Sequence, residues 1–466
     1  MEELKNIIHA NHFIMALVKL FLLTSVQQPI QALSPLQDQF SFVSIWNAPT
    51  ELCAKKFNIN VDLSLFEIIG STLRSAKDQN ITIFYSDRLG YYPSINPETG
   101  NVYNGGIPQM TNMHQHLKKA QEDITSYIPS VTQSGLAVID WEDWRPTWIR
   151  NWAFKDIYRR HSIEFALQQD LELPERNLKS VAKRQFEQAA KNLMLSTLRL
   201  GKSLRPQYLW GFYLFPNCQN YDYKANRHSY SGHCPGIEKM RNDGLYWLWK
   251  ESTALFPNMY LESALKSSRK AALFVRNRIK EAKRVSRLSN SSSTLPVYMY
   301  SRPVFTDNTQ EYLSEVDLVH TIGESVSLGT TGFIVWGNLN LTRSRDTCTH
   351  LNNFLVNTMN PYIINVTLAS KLCSAALCQN NGVCIRKHWN SDSYLHLNNM
   401  HLSIEQKEGK YSVIGKPTKE DLNYFVENFE CHCYSGRKCK APIDVRHISK
   451  TQVCLRPNIC LKHHFI

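Results

Sequence analysis

Short apolar segments alternate with longer amphipathic segments along the first 340 residues of the chain. The apolar segments are almost continuously hydrophobic, which is typical of strands that are covered on both faces. This pattern predicts six strands: FSFVSIW (40–46), ITIFYS (81–86), GLAVID (135–140), QYLWGFYLF (207–215), LPVYMYS (295–301) and GFIVWG (332–337).

Two segments between the predicted strands have the pattern of surface helices. Residues 177–204 and 267–288 place charged residues around an apolar stripe. Strands that alternate with helices indicate a parallel α/β sheet, and the length of this region favours a TIM-like (β/α) barrel. The predicted fold class is therefore α/β.

The composition changes near Cys373. The segments CSAALCQNNGVC (373–384) and CHCYSGRKC (431–439) crowd six cysteines into two groups. This spacing predicts a small disulfide module of the epidermal-growth-factor (EGF) type with a long polar insertion over 385–430. A zinc site is the alternative, but paired C-x2-C spacing is missing. The predicted division is a barrel over 35–372, an EGF-like module over 373–440 and a Cys-containing tail over 441–466.

The N-terminal segment and the cysteine count predict passage through the secretory pathway. An apolar run, FIMALVKLFLLTSV (13–26), favours a signal peptide within residues 1–34, with an uncleaved membrane anchor as the alternative. Twelve cysteines suit an oxidising compartment. No apolar segment closes the sequence, so no C-terminal membrane anchor is expected. Four N-x-S/T sequons are candidate glycosylation sites: Asn80, Asn290, Asn340 and Asn365.

The charge balance narrows the chemical classes of binding partner. Lys and Arg number 53 against 40 Asp and Glu, a formal net charge of +13, which favours nucleic acid, anionic lipid or acidic polysaccharide over a cationic ligand. A merely soluble basic surface is an equal alternative from charge alone. G-x-S-x-G, H-E-x-x-H, P-loop and dinucleotide motifs are missing, and the histidines show no ligand spacing, so we expect neither metal nor cofactor.

The segment GLAVIDWEDWRP (135–146) ends a predicted strand in carboxylates. Asp140 and Glu142 point to the same side of an extended chain and Trp141 to the other. The carboxyl ends of barrel strands form the active-site face, and two neighbouring carboxylates cannot easily both ionise, so one pKa should rise. That arrangement suits a general acid. Solvated turn residues are the alternative.

Aromatic residues end several other predicted strands. Tyr85, Tyr213, Tyr300 and Trp336 could stack on sugar rings, although each one alone is more often ordinary core. Trp144, Trp148 and Trp152 have helical spacing after the strand, which predicts packing on one face of a helix. Arg145 is then the polar member of the site wall.

Five segments resemble the vertebrate hyaluronidases, which are glycoside hydrolases of family 56, and most of all their sperm-surface (testicular) members. The segments are GLAVIDWEDWRPTWIRNW, LWGFYLFPNC, LYWLWKESTALFPNMY, IGESVSLGTTGFIVWG and NPYIINVTLASKLCSAALCQNNGVCIR. The resemblance implies a distorted β/α barrel with an EGF-like module. It also implies endo-hydrolysis of hyaluronan at β-1,4 bonds, slower action on chondroitin, and a role in sperm penetration of the egg's hyaluronan-rich coat. Nucleic acid is not an expected partner.

The resemblance also implies residue roles. Glu142 matches the general acid and base, and Asp140 matches the group that orients the substrate's acetamido group, helped by Tyr213. The other matching positions are expected to contact substrate: Tyr85, Arg145, Tyr260, Arg278, Tyr300 and Trp336. Two positions depart from many relatives, Asn217 in place of Asp and Phe256 in place of Tyr.

Six disulfides follow from the same resemblance. They are Cys53–Cys348, Cys218–Cys234, Cys373–Cys384, Cys378–Cys431, Cys433–Cys439 and Cys454–Cys460. The protein is expected outside the cell or in the acrosomal lumen. Membrane association through an uncleaved N-terminal segment is the alternative. Two other functions stay open: a chondroitin-preferring hydrolase, and a protein that binds hyaluronan or the egg coat with weak hydrolysis.

Overall fold

A computed structural model describes residues 42–172, 174–225, 229–289, 294–434, 437–439 and 453–461. The predicted signal peptide, most of the tail and the Asn290 sequon lie outside these residues. The strands are β1 (Val43–Asn47), β2 (Ile68–Gly70), β3 (Ile81–Tyr85), β4 (Ser94–Ile95), β5 (Val102–Tyr103), β6 (Gly135–Asp140), β7 (Tyr208–Phe212), β8 (Tyr298–Ser301), β9 (Gly332–Trp336), β10 (Gly382–Arg386), β11 (Leu402–Lys407), β12 (Lys410–Gly415), β13 (Phe429–Cys433), β14 (Val453–Arg456) and β15 (Ile459–Leu461).

Helices surround the parallel strands. They are α1 (Glu51–Phe57), α2 (Met113–Tyr127), α3 (Asp156–Gln169), α4 (Glu175–Leu204), α5 (Gly236–Gly244), α6 (Tyr246–Glu251), α7 (Arg269–Ser286), α8 (Glu315–Leu318), α9 (Glu324–Ser327), α10 (Arg345–Phe354), α11 (Asn360–Cys378) and α12 (Lys419–Asn428). The two helices predicted from the amphipathic pattern are α4 and α7, with ends within two residues of the prediction.

The parallel strands curve into a distorted barrel, as predicted. Hydrogen bonds join β2–β1–β9–β8 in one sheet and β3–β6–β7 in another. The extended segment 254–258 lies between the sheets, where Phe256 pairs with Tyr213 and Leu255 pairs with Val297. We did not predict this segment or β2 as strands. The first contains Pro257, which cannot donate to a ladder, and the second is only three residues long.

Apolar side chains fill the barrel interior. Thirteen buried residues form this inner core, among them Val43, Val138 and Ile334, and a separate, larger core lies between the barrel and its helices. Four partly buried aromatic residues pack against the inner core: Tyr85, Tyr213, Tyr260 and Trp336. Each follows or ends an extended segment, so the inner core is capped at the carboxyl ends of the strands.

The C-terminal region is a small disulfide-rich module, as predicted. Antiparallel β10 and β13 place Cys384 opposite Cys431, and the structure contains the six disulfides that the resemblance implies. The sulfurs of Cys431, Cys433 and Cys439 lie together, but disulfides engage all three. The predicted polar insertion folds into the β11–β12 hairpin and α12. The predicted boundary at residue 373 falls inside α11, which carries Cys373 and Cys378.

Residues 345–378 form a helical stretch that is long and apolar enough to cross a membrane. Its apolar window is 78% buried inside the protein, and disulfides tie it to the module. Both features are those of a core helix. The described sequon asparagines differ in solvent exposure. Asn80 and Asn340 are exposed, whereas Asn365 on α11 is partly buried and accepts a hydrogen bond from the Leu397 N–H.

A buried charge cluster joins the module to the barrel. Glu324 on α9 is fully buried and binds two guanidinium groups, Arg276 of α7 at 2.6 Å and Arg386 of β10 at 3.0 Å. The Tyr394 hydroxyl donates to the same carboxylate at 2.8 Å. Arg276 also contacts Asp392 of the insertion at 2.8 Å. These contacts fix the position of the module against the helix that carries Arg278.

We expect Glu324→Gln to lower the free energy of unfolding by about 3–5 kcal/mol, because it leaves two buried cations without their shared carboxylate. Chemical denaturation of purified protein measures this loss. Asp392→Asn is the matched control, since it removes a half-exposed partner of the same arginine and should cost less than about 1 kcal/mol. Equal losses in the two variants would contradict a dominant role for the buried carboxylate.

Candidate active site

Three adjacent strand ends bring together the acidic and aromatic residues. Asp140 ends β6 and pairs in register with Tyr85 at the end of β3. On the other side of β6, the Tyr213 N–H donates to the Ile139 carbonyl just past the end of β7. Because the strands are parallel, these three side chains emerge at the same edge of the barrel.

The Asp140 carboxyl is buried and incompletely bonded. Its Oδ1 is inaccessible to solvent and has no hydrogen-bond partner within the described part of the chain. Burial raises the pKa of Asp140 well above its usual range, and the charge of Glu142 raises this pKa further. Asp140 is therefore the member of the Asp140–Glu142 pair whose pKa is raised. It keeps a proton at pH values where an exposed aspartate has lost one.

Glu142 lies at the mouth of the barrel, two residues beyond the strand. Its side chain is 48% exposed and its Oε2 accepts a hydrogen bond from Arg145 Nη2 at 2.7 Å. Arg145 also donates to the Glu142 carbonyl at 3.1 Å, and the Lys155 ammonium donates to the same carbonyl. Arg145 thus lies beside the exposed carboxylate, and its role in the site wall stays a prediction.

Tyrosine rings form the floor behind the acids. The Tyr213 ring lies 6.2 Å from Tyr260 and 5.0 Å from Tyr300, measured between ring centroids. The Tyr213 hydroxyl accepts a hydrogen bond from Asn258 Nδ2 at 3.2 Å. Burial, followed by the charge of Glu142, raises the pKa of Tyr213, so its hydroxyl remains a proton-bearing donor. The Tyr300 hydroxyl is buried without a partner among the described residues.

An aromatic wall continues to the side of the tyrosine floor. The Trp336 indole N–H donates to the Tyr85 hydroxyl at 2.8 Å, and the Trp336 ring stacks on Tyr260 at 6.4 Å. The Arg302 guanidinium lies 5.3 Å from the Trp336 ring centroid. The Arg88 guanidinium lies 4.6 Å from the Tyr85 ring centroid. This wall thus combines flat apolar faces with cations, which suits a chain of sugars that carries carboxylates.

Arg278 does not lie on this surface. It is buried on α7, where its Nη1 donates to Asn258 Oδ1 at 2.5 Å and its Nε donates to Asn220 Oδ1 at 3.0 Å. Arg278 therefore lies behind Asn258, which in turn donates to the Tyr213 hydroxyl, and the predicted substrate contact of Arg278 stays a prediction. Phe256, which stands where many relatives have Tyr, is also fully buried and packs between Tyr298 and Tyr300.

The predicted helix after β6 is wrong. Residues 141–147 are irregular, and two short turns of 3₁₀ helix, Trp148–Arg150 and Ala153–Lys155, follow before α3 begins. Trp144 and Trp148 do pack on Phe186, but Trp152 is 58% exposed instead of packing. Pro146 interrupts the segment, and Ala153 adopts a left-handed backbone conformation (φ 54°) that turns its neighbours outward.

Four residues near the site were missed from the sequence. Asn47 ends β1 with its side-chain amide fully buried and unbonded among the described residues. Asn258 ends segment 254–258 and Arg302 follows β8. Lys155 approaches the Glu142 carbonyl from a 3₁₀ turn 13 residues further along the chain. A polar residue at the end of an apolar strand was an available signal for Asn47 and Arg302. Nothing local marks Lys155.

Known proteins are similar to this chain in sequence and fold. The family model for hyaluronidase, glycoside hydrolase family 56, matches residues 31–443. Hyaluronidase-5 of Mus musculus is 51% identical over 428 residues, which are 92% of this chain and 81% of the relative. Hyaluronidase PH-20 of Homo sapiens is 50% identical over 428 residues, with 92% and 83% coverage.

The chain belongs to the hyaluronidase family. The fold agrees: the crystal structure of bee venom hyaluronidase in complex with a hyaluronic acid tetramer superposes with a TM-score of 0.59 and 29% identity, covering 69% of this chain and 98% of the other. The barrel that carries Asp140 and Glu142 therefore has the hyaluronidase fold. The tyrosine floor lies at the carboxyl ends of the strands, where barrels of this type have their active sites.

We expect Asp140→Asn to stabilise this hyaluronidase at pH 7 but not near pH 4. The raised pKa of Asp140 means that the folded state keeps a proton that the unfolded chain releases above its ordinary pKa of about 3.9, so folding is penalised as pH rises. An amide carries no such penalty. Thermal unfolding of both proteins across this pH range tests the effect, and a stability difference that does not change with pH would contradict it.

Proposed function

We propose that this protein hydrolyses the β-1,4 bonds of hyaluronan internally, with retention of configuration and with the substrate's own acetamido group as nucleophile. The observation that carries this proposal is the buried, unbonded Asp140 Oδ1 beside the half-exposed Glu142. The first is a preformed acceptor for an amide N–H, and the second is a proton carrier open to the substrate. The close relationship to PH-20 and Hyaluronidase-5 supports the choice of substrate.

The first step needs a proton on Glu142. In the free enzyme the shared proton resides on Asp140, whose pKa burial raises. When the substrate amide donates its N–H to Asp140, that hydrogen bond favours the ionised form of Asp140, and the proton passes to Glu142. Glu142 then protonates the glycosidic oxygen as that bond breaks.

The nucleophile comes from the substrate. Asp140 is the carboxyl next to the acid, and in this mechanism it accepts the hydrogen bond of the substrate amide, so it is not the group that attacks the anomeric carbon. The acetamido oxygen, aimed by Asp140, therefore forms the bond to the anomeric carbon and gives an oxazolinium intermediate, an exception to the two-carboxylate scheme. The ionised Asp140 stabilises the positive charge of that ring. Glu142, now ionised, removes a proton from water as the water oxygen opens the intermediate.

The tyrosines complete the amide pocket. Tyr213 keeps its proton and can donate to the acetamido group, while Asn258 and the buried Arg278 behind it hold the phenol in place. Tyr260, Trp336 and Tyr85 offer stacking faces to sugars that precede the cleaved bond, and Arg302 offers a cation to a uronate among them. Asn47 and Tyr300 contribute buried polar groups at the floor.

Substrate preference and location form the finer part of this proposal. Chondroitin differs from hyaluronan at one hydroxyl of the hexosamine, and we propose slower action on it. Six disulfides favour an oxidising compartment, so we propose a secreted or acrosomal protein that acts on the egg's hyaluronan-rich coat. Digestion of hyaluronan and chondroitin side by side measures the preference.

We expect Glu142→Gln to reduce release of reducing ends from hyaluronan by at least about 100-fold, because the amide cannot donate the proton. Binding of the polymer should persist. Glu98→Gln, an exposed residue on another loop, is the control and should keep full activity. A wild-type protein that binds hyaluronan without turnover would instead support a binding protein.

We expect cleavage of N-deacetylated hyaluronan to fall by a factor similar to the one expected for Glu142→Gln, because an amine has no oxygen to attack the anomeric carbon. Re-acetylation of the same preparation should restore cleavage and controls for damage to the polymer. Proton NMR of the first products should show the β-anomer. Rapid cleavage of the deacetylated polymer would exclude substrate assistance while leaving hydrolysis itself intact.

A further inference from the structure

A basic cavity lies on the outer face of α7, where this helix meets α5 and the insertion of the C-terminal module. Its volume is about 450 Å³. Cations and one indole ring form much of its lining: Lys239, Lys280, Lys283, Arg284, Arg287 and Trp389. The cavity therefore combines a high density of positive charge with a flat apolar surface.

This cavity is separate from the acid pair. None of its lining residues belongs to the acid pair, the tyrosine floor or the aromatic wall. Lys283, near the end of α7, donates to the Gly329 carbonyl at 2.8 Å, three residues before β9 begins. Asp140 and Trp336 lie at the other, carboxyl ends of their strands. A ligand in the cavity would therefore leave the mouth of the barrel open.

The carboxylate in the lining, Glu281, already has partners. The guanidinium of Arg284 contacts Glu281 Oε1 at 2.8 Å and also contacts Asp243 at 2.7 Å. On the other side, Asn242 Nδ2 donates to Glu281 Oε1 at 2.8 Å. Glu281 thus neutralises Arg284 and leaves the other cations of the cavity without a carboxylate.

Four cations of the cavity are not neutralised within the described part of the chain. Lys239, Lys280 and Arg287 are exposed and form no ion pair with a described residue. Lys283 is partly buried and donates to a backbone carbonyl. Burial and then the charge of Arg287 lower the pKa of Lys283 to about 8. A bound anion would reduce the repulsion among these groups.

The loop that precedes α5 forms one preformed wall of the cavity. The disulfide Cys218–Cys234 holds this loop. Gly232 (φ 73°) crosses α7 so closely that a Cβ at this position would lie 2.4 Å from the Leu273 carbonyl oxygen. The loop is therefore fixed against the helix by covalent and steric constraints that need no ligand.

Trp389 forms the opposite wall, and the buried charge cluster holds it there. Arg276 Nη1 donates to the Asn390 carbonyl at 2.9 Å, next to Trp389 in the chain. The same guanidinium is bound by the buried Glu324. The Trp389 ring is partly buried against the large core, and it also lines the cavity. A fixed indole beside lysines suits the apolar face of a sugar ring.

Charge density indicates the class of ligand. Four cations around one cavity suit a ligand whose negative charges lie close together. Hyaluronan carries one carboxylate per disaccharide, whereas a sulfated glycan carries sulfate groups on the same unit as well. The disulfides favour an oxidising compartment, where sulfated glycans are more common polyanions than nucleic acids.

We propose that this cavity binds a sulfated glycosaminoglycan, with Lys280, Lys283 and Arg287 facing its sulfate groups and Trp389 stacking on a sugar ring. The bound glycan is not a substrate. It holds the protein in a sulfated matrix while the mouth of the barrel stays free. This inference goes beyond the proposed function and does not depend on it.

Calorimetric titration of the purified protein with a heparin octasaccharide tests the site. We expect the double variant Lys280→Met and Arg287→Met to weaken binding at least about tenfold, because it removes two contacts to sulfate. The matched control is Lys118→Met with Lys179→Met, which removes two exposed cations from α2 and α4. It should change binding less than about twofold. Equal losses in the two double variants would mean that only the net charge attracts the glycan.

Two further titrations test the recognition of sulfate and of the sugar ring. We expect Trp389→Ala to weaken binding of the octasaccharide and Trp389→Phe to keep most of it, because a phenyl ring still offers a stacking face. The same octasaccharide without its sulfate groups should bind at least about tenfold more weakly. Equal binding of the two octasaccharides would exclude a sulfate site.

Competition separates this cavity from the active site. In the Glu142→Gln protein, a saturating hyaluronan oligosaccharide should leave the affinity for the heparin octasaccharide unchanged. Displacement of the octasaccharide by hyaluronan would place both ligands in one groove and overturn the assignment.

A surface assay measures the consequence and keeps this inference distinct from the proposed function. We expect wild type to stay on a heparin-coated surface and release hyaluronan fragments there, and the Lys280→Met, Arg287→Met protein to wash off while it keeps full activity in solution. Wild type that is retained without any cleavage would contradict the proposed function alone. Wild type that cleaves hyaluronan in solution but is not retained would contradict the glycan site alone.

Discussion

A carboxyl group buried at the end of a barrel strand is the constraint on which the candidate site depends. Asp140 lies where the apolar run of β6 stops, next to Glu142, and its Oδ1 has no hydrogen-bond partner among the described residues. Burial of this kind costs stability, because the ionised form is poorly solvated. The same burial raises the pKa of Asp140, and its unpartnered oxygen is the acceptor that we propose for the substrate amide. The stability cost and this proposed role thus have one origin.

The rest of the structure holds this group in place. The inner core fixes the strand ends in register. The segment 254–258 ends in Asn258, and Tyr260 follows two residues later, in an irregular part of the wall. Arg278 reaches Asn258 from α7, and two residues away Arg276 anchors the same helix to Glu324 and the C-terminal module. The module therefore touches the site through one helix, and its buried charges resist a shift of that helix.

Charge is distributed differently on the two sides of the acid. Toward Trp336, two cations border aromatic rings: Arg302 lies beside Trp336 and Arg88 beside Tyr85. Toward Trp152, a pocket is lined by four cations, Arg145, Arg150, Lys155 and Arg241, and none of its described lining residues is acidic. Cations are therefore more numerous beside Trp152 than beside Trp336.

Local patterns were sufficient for the elements that are regular and long. Six of the barrel strands, α4, α7 and the cysteine groups follow from hydrophobic periodicity and spacing, and Asp140, Glu142, Tyr85 and Trp336 follow from their place at strand ends. Periodicity misled where the backbone is irregular: Trp152 has helical spacing but lies in a loop interrupted by Pro146 and Ala153. The pairing of cysteines and the roles of Arg278 and Tyr260 came from the resemblance and not from spacing.

The sequence by itself determined the fold class, the acid pair and the basic charge, because these depend on the order of residues within one strand or helix and on composition. Only the tertiary structure decided that Arg278 lies behind Asn258, that Lys155 reaches Glu142, and that Asp140 rather than Glu142 is the buried member of the pair. Those facts depend on contacts between segments far apart in the chain, and on the solvent that such contacts exclude.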